Sequence, residues 1–376
     1  MPTALYTLTS SLHRETARSA SEEPFIKDIE AALGEKFIFR GEDYSDYDDS
    51  CKPVIYVRTG GTEGLFKALN LPGDIRLLTS GKSNSLAASM EILSYLSANG
   101  RNGEILHGSA AYIAERIKNG GLSPEEGFSP FIRPLPPVDL GGARLGVIGR
   151  PSDWLISSEV DYAKARERLN AEIVDIPMEE LIGRLTSPDI DMRSFNGSEA
   201  IYDALKDIVK DFSLSGLTLR CFDLLDSVHN TGCLALARLN AEGIPSSCEG
   251  DIPALLSMAY LQKTRGCPGF QCNLSRIDGD ELLFAHCTVP LSMLSSFRYD
   301  THFESGIGTA IKGELPLRSV EIFKIAPDLE RCVCIPAEIR RNCSEPALCR
   351  TQIIVHAEGA AGYFLHSPLA NHHIII

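Results

Sequence analysis

The chain has 376 residues, of which 44% are apolar and 23% charged, and its formal net charge is −14 at pH 7. This composition is ordinary for a folded protein of roughly two to three domains. The negative charge argues against nucleic acid or an anionic membrane surface as the partner, because both would repel the protein. We therefore expect a small-molecule partner.

Neither a leader peptide nor a membrane span is expected. Residues 1–20 lack the apolar core of a signal peptide, and no stretch approaches the length of about 20 apolar residues that a bilayer requires. The eleven cysteines lack the dense spacing of a disulfide scaffold. We interpret the chain as a cytoplasmic protein whose thiols are mostly reduced and buried.

The first third alternates strands and helices. Residues 53–57 and 75–78 are short apolar runs, each followed by a polar loop with glycine, and a helical pattern runs from Leu86 to Leu96. This alternation predicts a parallel α/β sheet. The proline-rich stretch at 122–139 then predicts a linker, because proline fits neither the interior of a helix nor that of a sheet.

A second α/β unit follows this stretch. Its predicted strands are 144–149 and 172–176, and its predicted helices are 158–169, 201–212, 231–242 and 252–262.

After about residue 266 the pattern becomes β-rich, with short strands predicted at 281–285, 319–323, 332–335, 351–355 and 372–376. The predicted fold class is therefore α/β, with two parallel-sheet, Rossmann-like domains followed by a β-rich, barrel-like C-terminal domain. The expected domain bounds are 1–140, 141–265 and 266–376.

Polar clusters in the second half carry the candidate site residues. Glu249 and Asp251 precede the helix predicted to begin at residue 252. The helix dipole alone explains two carboxylates there, and the functional alternative is a metal ligand or a base that points into a cleft.

His286 ends an apolar strand, and His302 and Glu304 are two residues apart. In an extended segment these last two would share a face and form a metal-binding or acid–base pair. In the late pair His372-His373 the two rings would face opposite sides of a strand, so at most one joins a given site. The structural alternatives are a hydrogen-bonded core histidine at 286 and a surface histidine pair.

Taken together, the motifs Cys248-Glu249-Gly250-Asp251, Ala285-His286-Cys287 and Asn371-His372-His373 resemble the C-terminal half of the L-fucose and L-arabinose isomerase superfamily. The segments Leu77–Asn84 and Leu145–Leu155 resemble the two N-terminal α/β domains of its shorter, fucose-isomerase-like members. The resemblance covers residues 50–376.

This resemblance implies an aldose–ketose isomerase for a small sugar, working through an enediol with Mn²⁺ or another divalent metal. In that family two carboxylates and a histidine hold the metal. Glu249 matches the first carboxylate, His372 matches the late histidine, and His286 is similar to an additional histidine of the arabinose branch. The related isomerases form closed oligomers, which implies a homo-oligomer.

The second carboxylate of the family falls near Asn273 in this chain, which is a departure from the pattern. An amide oxygen can bind a hard cation, but an amide cannot act as a general base. Asp251 or Glu304 is then the candidate base, beside Glu249, and His302 is a further candidate ligand.

Two other functions stay open. The chain could be a non-catalytic sugar- or metabolite-binding protein that lost a metal carboxylate at Asn273. It could also be a lyase or epimerase that uses the same metal site and enediol, since fold does not fix the reaction. Convergence of Glu249, His286, His302 and His372 within metal-bonding distance would favour an enzyme.

Two further motifs are given structural interpretations. The loop 80–83 lacks the first glycine of a phosphate loop, because that position is Arg76. We expect this loop and Gly60-Gly61 to form turns or to line a cleft at the carboxyl ends of strands. A cysteine group without the Cys-x₂-Cys spacing of a zinc site is interpreted as buried thiols, namely Cys332, Cys334, Cys343 and Cys349.

Overall fold

The computed structural model describes residues 3–10, 19–48, 53–119, 130–185 and 189–376. Its first sheet is parallel and has five strands, as the alternating pattern predicts. The elements of this part are β1 (Ala4–Leu8), α1 (Pro24–Leu33), β2 (Ile38–Gly41), β3 (Val54–Val57), α2 (Glu63–Leu69), β4 (Ile75–Thr79), α3 (Ser85–Ala98), β5 (Gly103–Leu106) and α4 (Ala110–Asn119). The strand order is β2-β1-β3-β4-β5. Every residue of β3 and β4 is buried, as expected for parallel strands covered on both faces.

The second sheet is also parallel, with four strands in the order β10-β9-β7-β8. Its part of the chain contains β7 (Ala143–Ile148), α5 (Tyr162–Leu169), β8 (Ala171–Ile176), α6 (Met178–Ile182), α7 (Phe195–Asp211), β9 (Gly216–Leu219), α8 (Asp223–Val228), α9 (Cys233–Ala241), β10 (Ser246–Cys248) and α10 (Ile252–Arg265). Helix α5 begins at Tyr162 and not at 158, because the side chain of Asp161 accepts hydrogen bonds from the first-turn amides and caps the helix there.

The C-terminal part forms a closed antiparallel barrel of six strands, which confirms the barrel-like prediction. Its elements are β11 (Phe270–Asp278), β12 (Glu281–His286), β13 (Ser296–Asp300), β14 (Ala310–Glu314), β15 (Ser319–Ile325), β16 (Arg331–Cys343), β17 (Thr351–His356), α11 (Ala361–His366) and β18 (His373–Ile375). The order is β15-β18-β11-β12-β17-β16, and pairing of β15 with β16 closes the ring. Strands β13 and β14 form a separate two-stranded sheet.

The proline-rich stretch is more than a linker. Its residues 122–129 lie outside the described part of the chain, but the next segment contains β6 (Ile132–Pro134), which pairs with the outer edge of β16. Proline is tolerated there because an edge strand needs hydrogen bonds on one side only. This strand joins the barrel sheet across the predicted boundary at residue 140, and the three domain bounds themselves stay a prediction.

The barrel packs against both α/β layers. One core joins the first sheet to the barrel through residues such as Leu77 and Phe284, and another joins the second sheet to it through Val147 and Phe323. Burial of apolar surface on this scale holds the three sheets in fixed relative positions. None of the helices in the described part of the chain combines the length and the apolar character needed to cross a bilayer.

Candidate metal centre and its pocket

Loops at the carboxyl ends of second-sheet strands form one wall of the candidate site. Arg220, directly after β9, donates from Nη1 to the carbonyl of Pro151 (2.6 Å) and pairs through Nη2 with Asp153. The amide of Ser152 donates to the carbonyl of Glu249 (3.1 Å), directly after β10. The loops after β7, β9 and β10 are therefore locked together at the edge where open α/β sheets bind ligands.

A tight turn presents Glu249. Both Glu249 and Gly250 have positive φ values, +67° and +69°. A Cβ atom on Gly250 would lie 2.5 Å from the carbonyl oxygen of Arg150. Only glycine therefore allows this turn to approach the neighbouring loop so closely.

We expect Gly250→Ala to lower the free energy of unfolding by roughly 1–3 kcal/mol, because alanine is strained at this φ, and to weaken metal binding by displacing Glu249. Chemical denaturation and a Mn²⁺ titration measure the two effects. Gly279→Ala is the matched control, because Gly279 has φ +57° and open space around its Cβ position. Equal metal affinity in both variants would contradict the role of the turn.

The side chains of Glu249, His286 and His372 converge. Their candidate ligand atoms all lie within 4.8 Å of one another. Oε1 of Glu249 is 3.5 Å from Nε2 of His372 and 3.9 Å from Nε2 of His286. The indole Nε1 of Trp154 donates to Oε2 of Glu249 (2.6 Å), which leaves Oε1 directed at the histidines.

A second layer of contacts fixes the two imidazole rings. Nδ1 of His372 lies 2.8 Å from Oδ2 of Asp251, and Nδ1 of His286 lies 2.9 Å from the hydroxyl of Thr288. Oδ1 of Asp251 caps α10 by accepting from a first-turn amide. Because an ionised carboxylate only accepts hydrogen bonds, Nδ1 of His372 donates and Nε2 is left to bind a metal, which is the usual carboxylate–histidine–metal arrangement.

The buried charges of this cluster balance one another. Burial lowers the pKa of His372, but the charge of Glu249 and the hydrogen bond to Asp251 outweigh it and raise the pKa to about 10. Burial raises the pKa of Glu249, but the two histidines hold it well below its ordinary value. The pKa of Asp251 is also lowered, since burial is outweighed by the nearby ammonium of Lys324 and by His372. The metal-free site therefore carries a protonated His372 between carboxylates.

We expect Asp251→Asn to weaken Mn²⁺ binding by about 10- to 100-fold, because the amide no longer fixes the tautomer of His372. Isothermal titration calorimetry measures this change. Asp161→Asn is the control, because Asp161 caps α5 through the same kind of contact, outside the candidate site. If both variants bound Mn²⁺ as tightly as the wild type, Asp251 would have only a capping role.

Glu249 connects the cluster to a pocket with a cavity volume of about 120 Å³. All three sheets contribute to its lining, which consists of Ser10, Gly60, Gly61, Glu63, Asn84, Ala87, Ala88, Trp154, Phe222, Glu249, Asn273, Glu304 and Asn371. Gly60 and Gly61 line this pocket, as one of the two expectations for them states, whereas residues 80–83 do not and only the next residue, Asn84, reaches it.

Several polar atoms at this pocket are buried and find no hydrogen-bond partner among the described residues. They are Oε2 of Glu63 and the side-chain oxygens of Asn84, Asn273 and Asn371. In the adjoining cluster, Nε2 of His372 also has no hydrogen bond among the described residues, although Oε1 of Glu249 lies 3.5 Å away. Buried polar groups in folded proteins are normally satisfied. A group of such atoms at one cavity indicates a polar ligand.

Glu304 reaches the pocket from the segment between β13 and β14. Its Oε1 accepts a hydrogen bond from Nδ2 of Asn84 (2.8 Å). Burial and the negative charge of Glu249 raise its pKa to about 7, although the hydrogen bond from Asn84 acts in the opposite direction. A carboxyl group with this pKa exchanges protons readily near neutral pH.

His302 lies outside the three-residue cluster. Residues 301–306 form a turn and not the extended segment on which the pairing of His302 with Glu304 depended. Nδ1 of His302 contacts the hydroxyl of Ser305 (3.0 Å), and its ring packs edge-on against Phe222. Only Glu304 of the pair lines the pocket.

The cysteines in the described part of the chain form no comparable group. Within the described ranges, the group of three residues that could hold a metal ion is Glu249, His286 and His372. No such group is formed by Cys332, Cys334, Cys343 and Cys349. Cys51 lies outside the described residues.

Among the pocket residues that sequence reasoning missed are Glu63 and Trp154. Both lie in loops or first turns directly after parallel strands, so their position at strand ends was the available signal.

Comparisons with known proteins give one distant similarity. No protein-family model matches the chain. A curated protein, sulfoquinovose isomerase from Alkalicoccus urumqiensis, is 22% identical over 166 residues. The match covers 38% of this chain and 38% of that protein. The similarity is thus to a sugar isomerase, and it does not single out the fucose or arabinose isomerases.

Proposed function

We propose that this chain is a metal-dependent sugar isomerase that interconverts an aldose and a ketose through an enediol. The observation that carries the proposal is the convergence of Glu249, His286 and His372 beside a pocket that Glu249 lines and that contains unsatisfied polar atoms. The similarity to a protein named sulfoquinovose isomerase supports a sugar as the substrate.

The residues present fit a divalent cation. Nε2 of His372 and the side-chain oxygen of Asn273 are buried and unsatisfied, and with Glu249 and His286 they offer two nitrogen and two oxygen ligands. Such a mixed set suits Mn²⁺ and other first-row divalent metals. A cation held there would act as a Lewis acid and stabilise the negative charge that develops on the sugar oxygens.

Glu304 is the proposed base. Asp251 is committed to His372 and to the cap of α10, so we assign it a positioning role, and Asn273 cannot accept a proton from carbon. The carboxylate of Glu304 would take the proton from the hydroxyl-bearing carbon beside the carbonyl and return it to the former carbonyl carbon, while the hydroxyl proton moves to the former carbonyl oxygen. A pKa near 7 suits both halves of this transfer.

The test is NMR in D₂O of a pooled panel of aldoses and ketoses, with protein, with and without Mn²⁺. We expect exchange of a carbon-bound hydrogen beside the carbonyl that depends on Mn²⁺. The product separates an isomerase from an epimerase or lyase working through the same enediol. Saturable binding of a panel sugar without exchange would contradict the catalytic proposal and favour a binding protein.

A further inference from the structure

Glu63 is a buried carboxyl group that neither the metal cluster nor the proton transfer uses. It is the first residue of α2 and lines the pocket that contains Glu249 and Glu304. The residue is only 2% exposed, and its Oε2 is among the buried atoms without a partner in the described part of the chain.

The loop that carries Glu63 is held rigidly. The hydroxyl of Thr62 donates to the carbonyl of Thr59 (3.0 Å), and the amide of Gly60 donates to the carbonyl of Ser83 (2.8 Å). A Cβ atom on Gly64 would lie 3.1 Å from the carbonyl oxygen of Asp153, so α2 packs directly on the loop that carries Trp154. These contacts fix the backbone that carries Glu63 at the wall of the pocket.

The backbone amides of Thr62 and Glu63 interact with this carboxyl group, but its Oε2 finds no hydrogen-bond partner among the described residues. Both carboxyl oxygens of the neighbouring Glu91 already accept hydrogen bonds, from the amides of Ser157 (2.7 Å) and Asn371 (2.9 Å). Burial, with the charges of Glu91 and Glu249, raises the pKa of Glu63 well above its ordinary value, although backbone amides act in the opposite direction. The raised pKa favours the protonated form of Glu63, and a neutral carboxylic acid both donates and accepts hydrogen bonds.

The other unsatisfied atoms identify the chemistry of the missing partner. The side-chain oxygens of Asn84 and Asn371 are acceptors that line the same pocket and lack donors. A partner for Glu63, Asn84 and Asn371 together must offer several O–H or N–H donors within one molecule. A polyhydroxylated chain does so, since each hydroxyl both donates and accepts.

We propose that Glu63 is a substrate-binding residue whose side chain exchanges a hydrogen bond with a hydroxyl group of an uncharged polyol chain. This inference deepens the proposed sugar isomerase function and rests on it. In the substrate the polyol chain is the part of the sugar that does not react, so Glu63 contributes to affinity and selectivity and leaves metal binding to Glu249 and the histidines.

The experiment uses uncharged polyols that cannot isomerise: xylitol, ribitol, L-arabinitol and galactitol. Trp154 is the only tryptophan of the chain and lines the pocket, so its fluorescence reports binding. Each polyol is titrated into the Mn²⁺-loaded protein and into the metal-free protein. The variants are Glu63→Gln, which keeps a neutral donor and acceptor, and Glu63→Leu, which keeps the bulk and removes both. Glu63→Ala is a second apolar variant in case the circular dichroism of Glu63→Leu shows a folding defect.

We expect at least one polyol to bind the wild type, Glu63→Leu or Glu63→Ala to weaken that binding by about 10-fold, and Glu63→Gln to keep it within about 3-fold. The Mn²⁺ affinity of all variants should match the wild type, which a merely structural role would not predict. Wild-type polyol affinity in the apolar variants would overturn the inference, and so would failure of all four polyols to bind the wild type. If the wild type did not bind Mn²⁺, the proposed function would be contradicted. Polyol binding to the metal-free protein would still test the role of Glu63.

Discussion

Glu249→Gln is expected to weaken Mn²⁺ binding by about 100-fold or more and to abolish the metal-dependent exchange of the carbon-bound hydrogen. The loss should be this large because even the outer contacts of a metal site contribute about 10- to 100-fold to metal affinity. The amide keeps the size of the side chain and can still accept from Trp154, but it removes the negative charge that faces His286 and His372. Calorimetric titration of Mn²⁺ measures the change.

A second readout comes from the protons released. The pKa of His372 is raised to about 10 in the metal-free site, so at pH 7 the ring is protonated and must lose that proton before Nε2 binds a metal. We therefore expect Mn²⁺ affinity to increase with pH across neutrality, with close to one proton released per ion, as titrations in buffers of different ionisation enthalpy would show. Glu199→Gln is the control, because Glu199 pairs with Arg238 outside the pocket. Unchanged Mn²⁺ affinity in Glu249→Gln would contradict the proposed metal site.

The candidate ligands could be named from the sequence because their motifs together resemble those of the L-fucose and L-arabinose isomerase superfamily, whereas local pattern alone left structural alternatives open. Glu249 precedes α10, which has a clear helical pattern, and His286 ends the apolar strand β12. What local pattern cannot supply is their convergence, because Asp251 and His372 meet across 121 positions of the chain. The order of the barrel strands depends on the same long-range pairing, since β18 inserts between β15 and β11.

Residues that act through irregular loops were the ones that sequence reasoning missed. Trp154 follows β7 in a loop held by Arg220, and Glu63 is buried at the start of a short helix beside Glu91. No periodicity marks such positions, because loops carry function without a repeating pattern. The pairing of His302 with Glu304 failed for the same reason, since the extended conformation it required is replaced by a turn.

Glu304→Gln is expected to lower the rate of carbon-bound hydrogen exchange by about 10²- to 10⁴-fold, the usual contribution of a positioned base, while Mn²⁺ still binds. The glutamine oxygen can accept the hydrogen bond from Asn84 that Glu304 accepts, so the fold of the turn should persist. The amide cannot remove a proton from carbon, so the loss should fall on kcat rather than on KM. NMR in D₂O with saturating Mn²⁺ measures the rate, and Ser305→Ala tests whether a disturbance of the same turn, beside His302, has a comparable effect.

The pH dependence follows from the role of Glu304 as a base. The carboxyl group must be ionised to accept the proton, so wild-type activity should rise with pH until its pKa is passed. That pKa is about 7 without a cation, and a nearby positive charge favours the ionised form and lowers it. We therefore expect an acidic limb with a midpoint at or below about pH 7 that is absent in Glu304→Gln. If Glu304→Gln showed the same acidic limb of the pH profile, the titration would belong to another group. If its exchange rate were unchanged, Glu304 would be excluded as the base, and another carboxylate of the pocket would have to transfer the proton.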